Sequence, residues 1–370
     1  MRGGCVPDWH IGGPRRALAD ERLKAGVGGC VTGPAASLPV SGAPECPVSR
    51  SPSRSPSYVH HVVMILMTVS GFVLVVGVTL TLCWGGTSYE TWELQVGDAA
   101  SRRARLSPDD DGPSVHTSLL RYLRGVAIAL VGGFWAGALV TGPAVRLIMR
   151  LLAVTAGDDA QGRLTEADEV VGSINFDGTI ALFVFGGVLP GLLSGAIYVV
   201  CRRWLPSGRL GGVVFGVLHL VVAATRIDPL RPDNPDFDLV GPGWLAVATF
   251  GLASIFHGMA VVAIANRYSH TFPPDATSRA ARARAFLPLV FPVLLLIPFF
   301  FFLLPILAGL VLYIAVSRSG PIVRFARSRG ALLAGRVAVG LVVVALLPGA
   351  VTDVHDVIVR DDTAALTHLG

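Results

Sequence analysis

Seven uncharged, strongly apolar runs alternate with short polar segments along the chain. They cover residues 62–83, 125–145, 179–201, 210–225, 239–265, 286–317 and 337–352. A helix rises 1.5 Å per residue and the hydrocarbon core of a bilayer is about 30 Å thick, so roughly 20 apolar residues cross it. Five runs reach that length, and the runs at 210 and 337 reach it with flanking residues. The pattern predicts an all-α, polytopic membrane bundle with seven or eight membrane segments.

The run 286–317 decides between seven and eight segments. As one straight helix its 32 residues would extend about 48 Å, more than a bilayer core needs. It contains four prolines: Pro288, Pro292, Pro298 and Pro305. The run is either one kinked, tilted helix or a hairpin of two short helices. Arginine-rich segments on both sides favour the hairpin, because cytoplasmic loops collect arginine.

The same arginine bias predicts an orientation. Loops 202–210 and 267–285 are expected in the cytoplasm, and the aspartate-rich loop 226–242 is expected outside it. The segment 146–178 is then a second outer loop, and the first span runs from the outside to the inside. Since Lys24 is the single lysine among 30 basic residues, we expect a GC-rich bacterial genome and a location in the plasma membrane.

The two termini differ from the membrane domain at 60–352. Residues 1–59 are rich in proline, serine and arginine, which predicts disorder or a mis-assigned start of translation. Residues 353–370 are predicted to form an acidic tail outside the membrane.

Composition limits the functional classes. With 52% hydrophobic and 15% charged residues, the chain has too little polar surface for a soluble globule. The net charge of +5 is that of arginines flanking spans, so no nucleic-acid partner is expected. Neither a metal nor another cofactor is expected. The expected partners are the lipid bilayer and either another membrane protein or further copies of this chain.

Small residues recur every fourth position in several spans, which places them on one helix face. Such faces let two backbones approach closely and drive packing in membranes. The predicted packing residues are Gly133, Gly137, Gly187, Gly191, Gly195, Gly212 and Gly216. The stretch GGVLPGLLSG (186–195) is either such a seam, with a kink at Pro190, or a helix broken around a binding site. Few polar residues accompany it, so we expect a seam against the face from Gly133 to Thr141.

Two histidines, His219 and His257, lie within spans. An imidazole in hydrocarbon needs a partner, so each is either satisfied inside the protein or belongs to a polar path or ligand site. Counting from the loop between them predicts an axial offset of roughly 15 Å, which argues against one shared metal. Arg146 and Arg150, one helical turn apart, are the other candidates for a polar path.

The outer loops contain the remaining candidates. Arg146 and Arg150 either pair with Asp158 and nearby carboxylates or line a basic pocket for an anionic lipid or substrate. Thr165 and Asp168 have capping-box spacing, which predicts a short helix through Val171.

The second outer loop contains four aspartates: Asp228, Asp233, Asp236 and Asp238. It lacks the glycine and the glutamate of an EF-hand, so it is either a proline-stiffened turn paired with Arg226 and Arg231 or a cation vestibule.

Two segments resemble those of an uncharacterised group of multi-pass membrane proteins from high-GC Gram-positive bacteria. They are MRLLAVTAGDDAQGRLTEADEVVG (149–172) and DPLRPDNPDFDLVGPGWLAV (228–247). The resemblance covers about residues 120–350 and implies a membrane protein without implying an activity.

Three functions remain open from the sequence. The first is a transporter or permease for a small molecule or lipid, and the second is a non-catalytic scaffold or accessory subunit. The third is a membrane-embedded hydrolase. Phe215 and His219 have the F-x-x-x-H spacing of glutamate-type intramembrane proteases, but the E-E-x-x-x-R motif is absent, so no catalytic residue is assigned.

Overall fold

The computed structural model describes residues 56–89, 115–227, 229–271, 279–298 and 303–367. Within these ranges the chain is helical except for its connecting loops and one isolated β-bridge between Leu164 and Val170. Five helical stretches are long and apolar enough to cross a membrane: Val63–Trp84, Ser118–Thr155, Phe176–Cys201, Gly243–Thr271 and Arg329–Val359. The predicted all-α membrane fold is therefore confirmed at this level. Shorter apolar helices at Arg209–Ala224, Ala283–Leu296 and Ile306–Val316 fall on the other runs, and the count of seven or eight segments stays a prediction.

The α-helices of the described residues are numbered in chain order. They are α1 (Pro56–Trp84), α2 (Val115–Ala136), α3 (Gly142–Thr155), α4 (Phe176–Phe183), α5 (Leu189–Cys201), α6 (Arg209–His219), α7 (Gly243–Thr271), α8 (Arg279–Phe286), α9 (Val290–Leu296), α10 (Leu303–Arg318), α11 (Gly320–Arg327) and α12 (Arg329–Thr367). Helix α1 begins at Pro56, four residues inside the predicted tail. The rest of that tail, residues 1–55, lies outside the described residues.

In the described part of the chain, three five-residue π-turns interrupt the membrane helices. Gly137–Thr141 joins α2 to α3, Val184–Val188 joins α4 to α5, and Leu220–Ala224 extends α6. Pro143 and Pro190 follow the first two turns closely. Proline has no N–H and its ring clashes with the carbonyl four residues earlier, and the wider turn accommodates both. The irregularity predicted at Pro190 thus includes a π-turn that the sequence pattern did not show.

Helix α7 lies at the centre of the bundle, where it contacts α1, α2, α3, α5, α6 and α12. Two apolar clusters surround it. One includes Ile128, Tyr198 and Phe215, and the other includes Leu152 and Phe250. We call the end beside the first cluster the arginine-rich end, because it contains Arg121, Arg124, Arg202, Arg203 and Arg336. The opposite end is the aspartate-rich end, with Asp233, Asp236, Asp238 and Asp353.

Polar contacts show where several helices begin and end. The Leu82 carbonyl at the end of α1 accepts a hydrogen bond from Arg209 at 3.2 Å, so α1 runs towards the arginine-rich end. Helix α12 begins there, because Gly335 packs against the indole of Trp204. It reaches the other end, where Asp353 lies 3.6 Å from Arg226. Residues 353–367, expected as a tail, continue this helix, and Val357 in them is fully buried.

The long run 286–317 is divided between α9 and α10, with residues 299–302 outside the described ranges. Immediately before the run, the Ala285 carbonyl accepts a hydrogen bond of 2.5 Å from Tyr268 at the arginine-rich end. After the run, α12 begins at that same end. The run therefore begins and ends at one end of the bundle, as a hairpin requires, and its crossing twice stays a prediction.

The predicted short helix through Val171 is wrong. The residues from Thr165 to Glu169 form a tight turn, in which the Thr165 hydroxyl accepts a hydrogen bond from the Glu169 N–H at 3.2 Å. Asp168 has a φ of 59°, a left-handed conformation that aspartate tolerates better than most residues. Threonine and aspartate side chains stabilise turns as well as helix caps, so their spacing alone could not distinguish the two.

Candidate functional site

A cavity of about 1390 Å³ opens at the arginine-rich end, chiefly between α2, α5 and α10. It exceeds the roughly 300–1000 Å³ of most small-molecule pockets. Its basic lining residues are Arg121, Arg124, Arg202, Arg203 and Arg336, and its aromatic ones are Tyr89, Tyr122, Tyr198 and Tyr313. Among the described residues that line it, none is aspartate or glutamate. The described lining is therefore strongly electropositive.

Two of the five guanidinium groups are held in place by the protein. Arg124 is only 9% exposed, and its Nη2 donates to the Ser269 carbonyl at 2.7 Å, which ties α2 to α7. The Arg202 guanidinium lies 4.0 Å from the centre of the Tyr89 ring, a cation–π contact. It also donates to the Val199 carbonyl at 3.3 Å. Both cations are thus positioned without being neutralised by these contacts.

The tyrosines shape the cavity and add no negative charge to it. The Tyr198 hydroxyl donates to Asn266 Oδ1 at 2.5 Å, and Asn266 Nδ2 donates to the Thr87 carbonyl at 2.8 Å. The Tyr122 hydroxyl donates to the Ile306 carbonyl at 2.5 Å. Burial raises the pKa of Tyr89 above its ordinary 10.0, against the opposing effect of Arg202 and Arg124. Tyr89 is therefore neutral at physiological pH.

The deeper part of the cavity is apolar. Along α2 the lining extends from Arg121 to Leu130, about 13 Å at 1.5 Å per residue. Opposite lies Leu193 of α5, which is 55% exposed. One end of the cavity is cationic and the other is aliphatic, an arrangement that suits an amphiphile.

The wall of the cavity is built on the predicted glycine seam. A Cβ added at Gly133 would collide with the carbonyl of Gly191, and one at Gly195 with the carbonyl of Ala129. A Cβ at Gly137 would lie 2.5 Å from the Gly187 carbonyl. The stretch 186–195 therefore packs against the face of α2 that contains Gly133. In the same way Gly212 and Gly216 of α6 face α7.

The two histidines lie much closer together than predicted. Their ring centroids are 4.7 Å apart, so the predicted offset of roughly 15 Å is wrong. That prediction counted residues from the loop between the two histidines, and it assumed that α6 ends and α7 begins at the same depth in the membrane. Instead, the loop between them folds back into the bundle, with Leu230 0% and Phe237 5% exposed, so α6 ends deeper than α7 begins.

The histidine pair forms a small polar layer between the two apolar clusters. His257 is 0% exposed, and its Nδ1 lies 2.5 Å from the Thr141 hydroxyl, a hydrogen bond whose direction depends on the tautomer. His219 Nδ1 and His257 Nε2 are buried without a hydrogen-bond partner among the described residues. Within the described ranges, no group of three potential ligands forms a metal site around the pair.

Arg146 and Arg150 lie on α3, towards the aspartate-rich end. Arg150 donates to the Gly172 carbonyl at 3.3 Å, and Arg146 interacts electrostatically with Glu169 and Arg150. Neither arginine forms an ion pair with Asp158 in the described structure. Of the four predicted path residues, the structure brings the histidines together, and none of the four lines the cavity.

Ion pairs and hydrogen bonds hold the aspartate-rich loop in place. Arg231 forms ion pairs with Asp233, at 3.3 Å, and with Glu166. Asp236 Oδ1 accepts a hydrogen bond from the Glu166 N–H at 2.7 Å. Arg226, expected to pair within the loop, instead lies near Asp353 of α12. Asp238 also interacts with the protein, and Asp228 lies outside the described residues.

Sequence reasoning missed the cavity because its arginines were interpreted only as flanks of membrane spans. A signal was nevertheless present. The seam predicted between the spans 125–145 and 179–201 joins consecutive, antiparallel helices. The start of the first and the end of the second must then meet, and with them Arg121, Arg124, Arg202 and Arg203.

Comparison of the chain with protein-family models, with curated proteins and with solved structures gave no match. The chain's own geometry is therefore the basis for assigning its function.

Proposed function

We propose that this protein is a multi-pass transporter or permease of a bacterial plasma membrane, with a lipid-like amphiphile as its substrate and the cavity as its substrate site. The observation that supports the proposal is the cavity itself. It is larger than a typical small-molecule pocket, and its lining along α2, about 13 Å long, passes from a cationic end to an aliphatic one. A substrate drawn from a bilayer needs both environments.

The proposed orientation places the arginine-rich end in the cytoplasm. Loops 202–210 and 267–285 then face the cytoplasm and loop 226–242 faces outward, in agreement with the positive-inside rule. The proposal of a bacterial membrane rests on the arginine bias and on the resemblance to the high-GC Gram-positive group. In this orientation, the cavity opens to the cytoplasmic leaflet.

The alternatives have less support. A scaffold that binds partners through glycine faces would leave such a face unoccupied, whereas those of α2, α5, α6 and α7 pack against each other. A hydrolase of the glutamate type would need Glu169 beside His219. In the described structure Glu169 accepts a hydrogen bond from Asn175 at 3.3 Å, and no hydrogen bond joins it to either histidine.

Lipid transfer in proteoliposomes tests the proposal. Full-length protein is reconstituted with phosphatidylglycerol or phosphatidylcholine bearing a fluorescent acyl chain, and dithionite bleaches the label in the outer leaflet. We expect the protein to expose inner-leaflet label of at least one of these lipids. If neither lipid is transferred faster than in protein-free vesicles, the transport proposal is wrong.

A pair of tryptophan substitutions shows whether transfer uses the cavity. Leu193→Trp adds bulk to the cavity wall, and we expect it to reduce transfer towards the protein-free rate. Leu252→Trp is the matched control, because Leu252 is 56% exposed on α7 and does not line the cavity. Equal rates for the two variants would contradict the assignment of the cavity as the substrate site.

A further inference from the structure

The cavity has a charge balance that selects among amphiphiles. Five arginines line it, and none of its described lining residues carries a carboxylate. Arg121, Arg203 and Arg336 form no ion pair with any described residue. Three cations that no described carboxylate pairs create a strongly positive potential. Binding of an anion lowers the repulsion between these cations.

The hydrogen-bonding groups at the cationic end are mostly donors. Guanidinium groups donate through several N–H groups and cannot accept. The hydroxyls of Tyr122 and Tyr198 already donate to the Ile306 carbonyl and to Asn266. A ligand that is rich in acceptors and carries negative charge therefore matches this end better than a neutral or cationic headgroup.

The planar guanidinium groups favour phosphate in particular. Arginine binds phosphate oxygens through two parallel N–H bonds, and the two unesterified oxygens of a phosphodiester fit this geometry. Two guanidinium groups already have a fixed position, Arg124 through the Ser269 carbonyl and Arg202 through the Tyr89 ring. Less side-chain freedom is lost when a ligand binds to groups that are held in advance.

The aliphatic wall distinguishes a phospholipid from a free phosphate ion. Leu130 of α2 and Leu193 of α5 lie along their helices towards the middle of the bundle from Arg121 and Arg202. Each methylene group that leaves water tightens binding by roughly fourfold. A ligand with an acyl chain gains this contribution, whereas inorganic phosphate does not.

We infer that the arginine-lined cavity binds the phosphate group of an anionic phospholipid, with the acyl chain along the wall formed by α2, α5 and α10. This inference rests on the proposed role of the cavity as the substrate site. The arginines act as binding residues, and no covalent step is involved.

Binding to the purified full-length chain tests the inference. The protein, in a non-ionic detergent, is titrated calorimetrically with dioctanoyl phosphatidylglycerol, dioctanoyl phosphatidylcholine and inorganic phosphate. Both lipids carry an ionised phosphodiester, but the arginines repel the quaternary ammonium of the choline headgroup, so we expect the anionic lipid to bind at least about tenfold more tightly than the zwitterionic one. Inorganic phosphate should bind more weakly than the anionic lipid. Equal affinity for the two lipids overturns the charge assignment, and equal affinity for phosphate and lipid overturns the role of the wall.

Exposed arginines provide variants that should still fold. Arg203→Gln and Arg336→Gln each remove one cavity cation, and each should weaken binding of phosphatidylglycerol by about tenfold. Arg267→Gln is the control, because Arg267 is exposed on α7 and does not line the cavity. It should change the affinity by less than about twofold. Equal affinities for all three variants contradict the inference.

The outcomes of the two experiments can be separated. If arginine-dependent binding occurs without transfer in proteoliposomes, the transport proposal fails and the assigned ligand class stands. If both lipids are transferred equally and the arginine variants have no effect, transport stands and the inferred ligand class fails.

Discussion

The two ends of the helical bundle treat charge in opposite ways. At the aspartate-rich end, Arg231 pairs with Asp233 and Glu166, and a loop folds over the helices. At the arginine-rich end, five arginines line an open cavity whose described lining residues include no carboxylate. Arg231 is paired with carboxylates at the first end, whereas Arg121, Arg203 and Arg336 form no ion pair with a described residue at the second. This difference, more than the number of arginines, is the basis of the proposed ligand site.

The helix contact beside the cavity differs from the packing at the aspartate-rich end. Around that end, large side chains such as Leu152, Phe237 and Phe250 form an apolar cluster. Next to the cavity, α2 and α5 meet backbone to backbone through glycines. Ala129 and Leu192, which adjoin this glycine seam, line the cavity, so the seam sets the position of its wall.

The largest expected effect on stability follows from removing a buried side chain at the aspartate-rich end. Phe237 is 5% exposed and belongs to the cluster beneath the loop. Phe237→Ala should lower the free energy of unfolding by about 3–5 kcal/mol, because the lost burial leaves a void. Thermal unfolding of the purified protein in detergent measures it. Ile227→Ala, in the same loop but at a side chain that is 64% exposed, should change stability by less than about 0.5 kcal/mol. Equal losses of stability in the two variants would contradict the packing of this loop against the helices.

A smaller effect is expected at the glycine seam. Gly133→Ala adds a Cβ where the Gly191 carbonyl lies, and the helices must separate to admit it. Overpacking of this kind costs about 1–3 kcal/mol. We expect a lower unfolding temperature and weaker binding of phosphatidylglycerol, because Leu192 beside the seam lines the cavity.

Gly251→Ala is the matched control for the seam. A Cβ at Gly251 meets nothing within 4 Å, so this helix-interior alanine should leave stability unchanged or raise it by up to about 1 kcal/mol. If Gly133→Ala is as stable as Gly251→Ala, the close approach of α2 and α5 does not hold the cavity wall.

The local sequence pattern predicted the helices and the glycine seam, but it did not predict the relative depth of the two histidines. The length of a span and the spacing of its glycines are properties of neighbouring residues, so the sequence alone shows both. The contact between His219 and His257 depends on a loop that buries Leu230, and loop packing is a tertiary property. The cavity was deducible in part, from Arg121 and Arg202 at the adjoining ends of two paired spans. Arg336 and α10 reach it only through the path of the segment 286–317.

The smallest expected effect on stability concerns a carboxylate at the aspartate-rich end. Burial raises the pKa of Asp236 above its ordinary 3.8, and Glu166 adds to the shift, while Arg231 and the hydrogen bond from the Glu166 N–H oppose it. The folded state therefore binds the proton more tightly than the unfolded state. The resulting stabilisation is complete below pH 3.8 and is lost as the pH rises through the higher folded-state pKa. Asp236→Asn keeps an oxygen acceptor for Glu166 but has no charge. Relative to this variant, the natural protein should gain stability as the pH falls from about 7 to 4, by less than about 1 kcal/mol because solvent screens a half-buried group.

Asp236→Ala separates this charge effect from the hydrogen bond. Alanine lacks the acceptor for the Glu166 N–H, so this variant should be less stable than Asp236→Asn at every pH, by roughly 0.5–1.5 kcal/mol. Unfolding in urea at several pH values measures both differences. A natural protein that instead loses stability relative to Asp236→Asn on acidification would mean that the ionised carboxylate is favoured in the folded state. Attraction to Arg231 would then stabilise the ionised Asp236 carboxylate. The two ends of the bundle would in that case differ only in the sign of their charge.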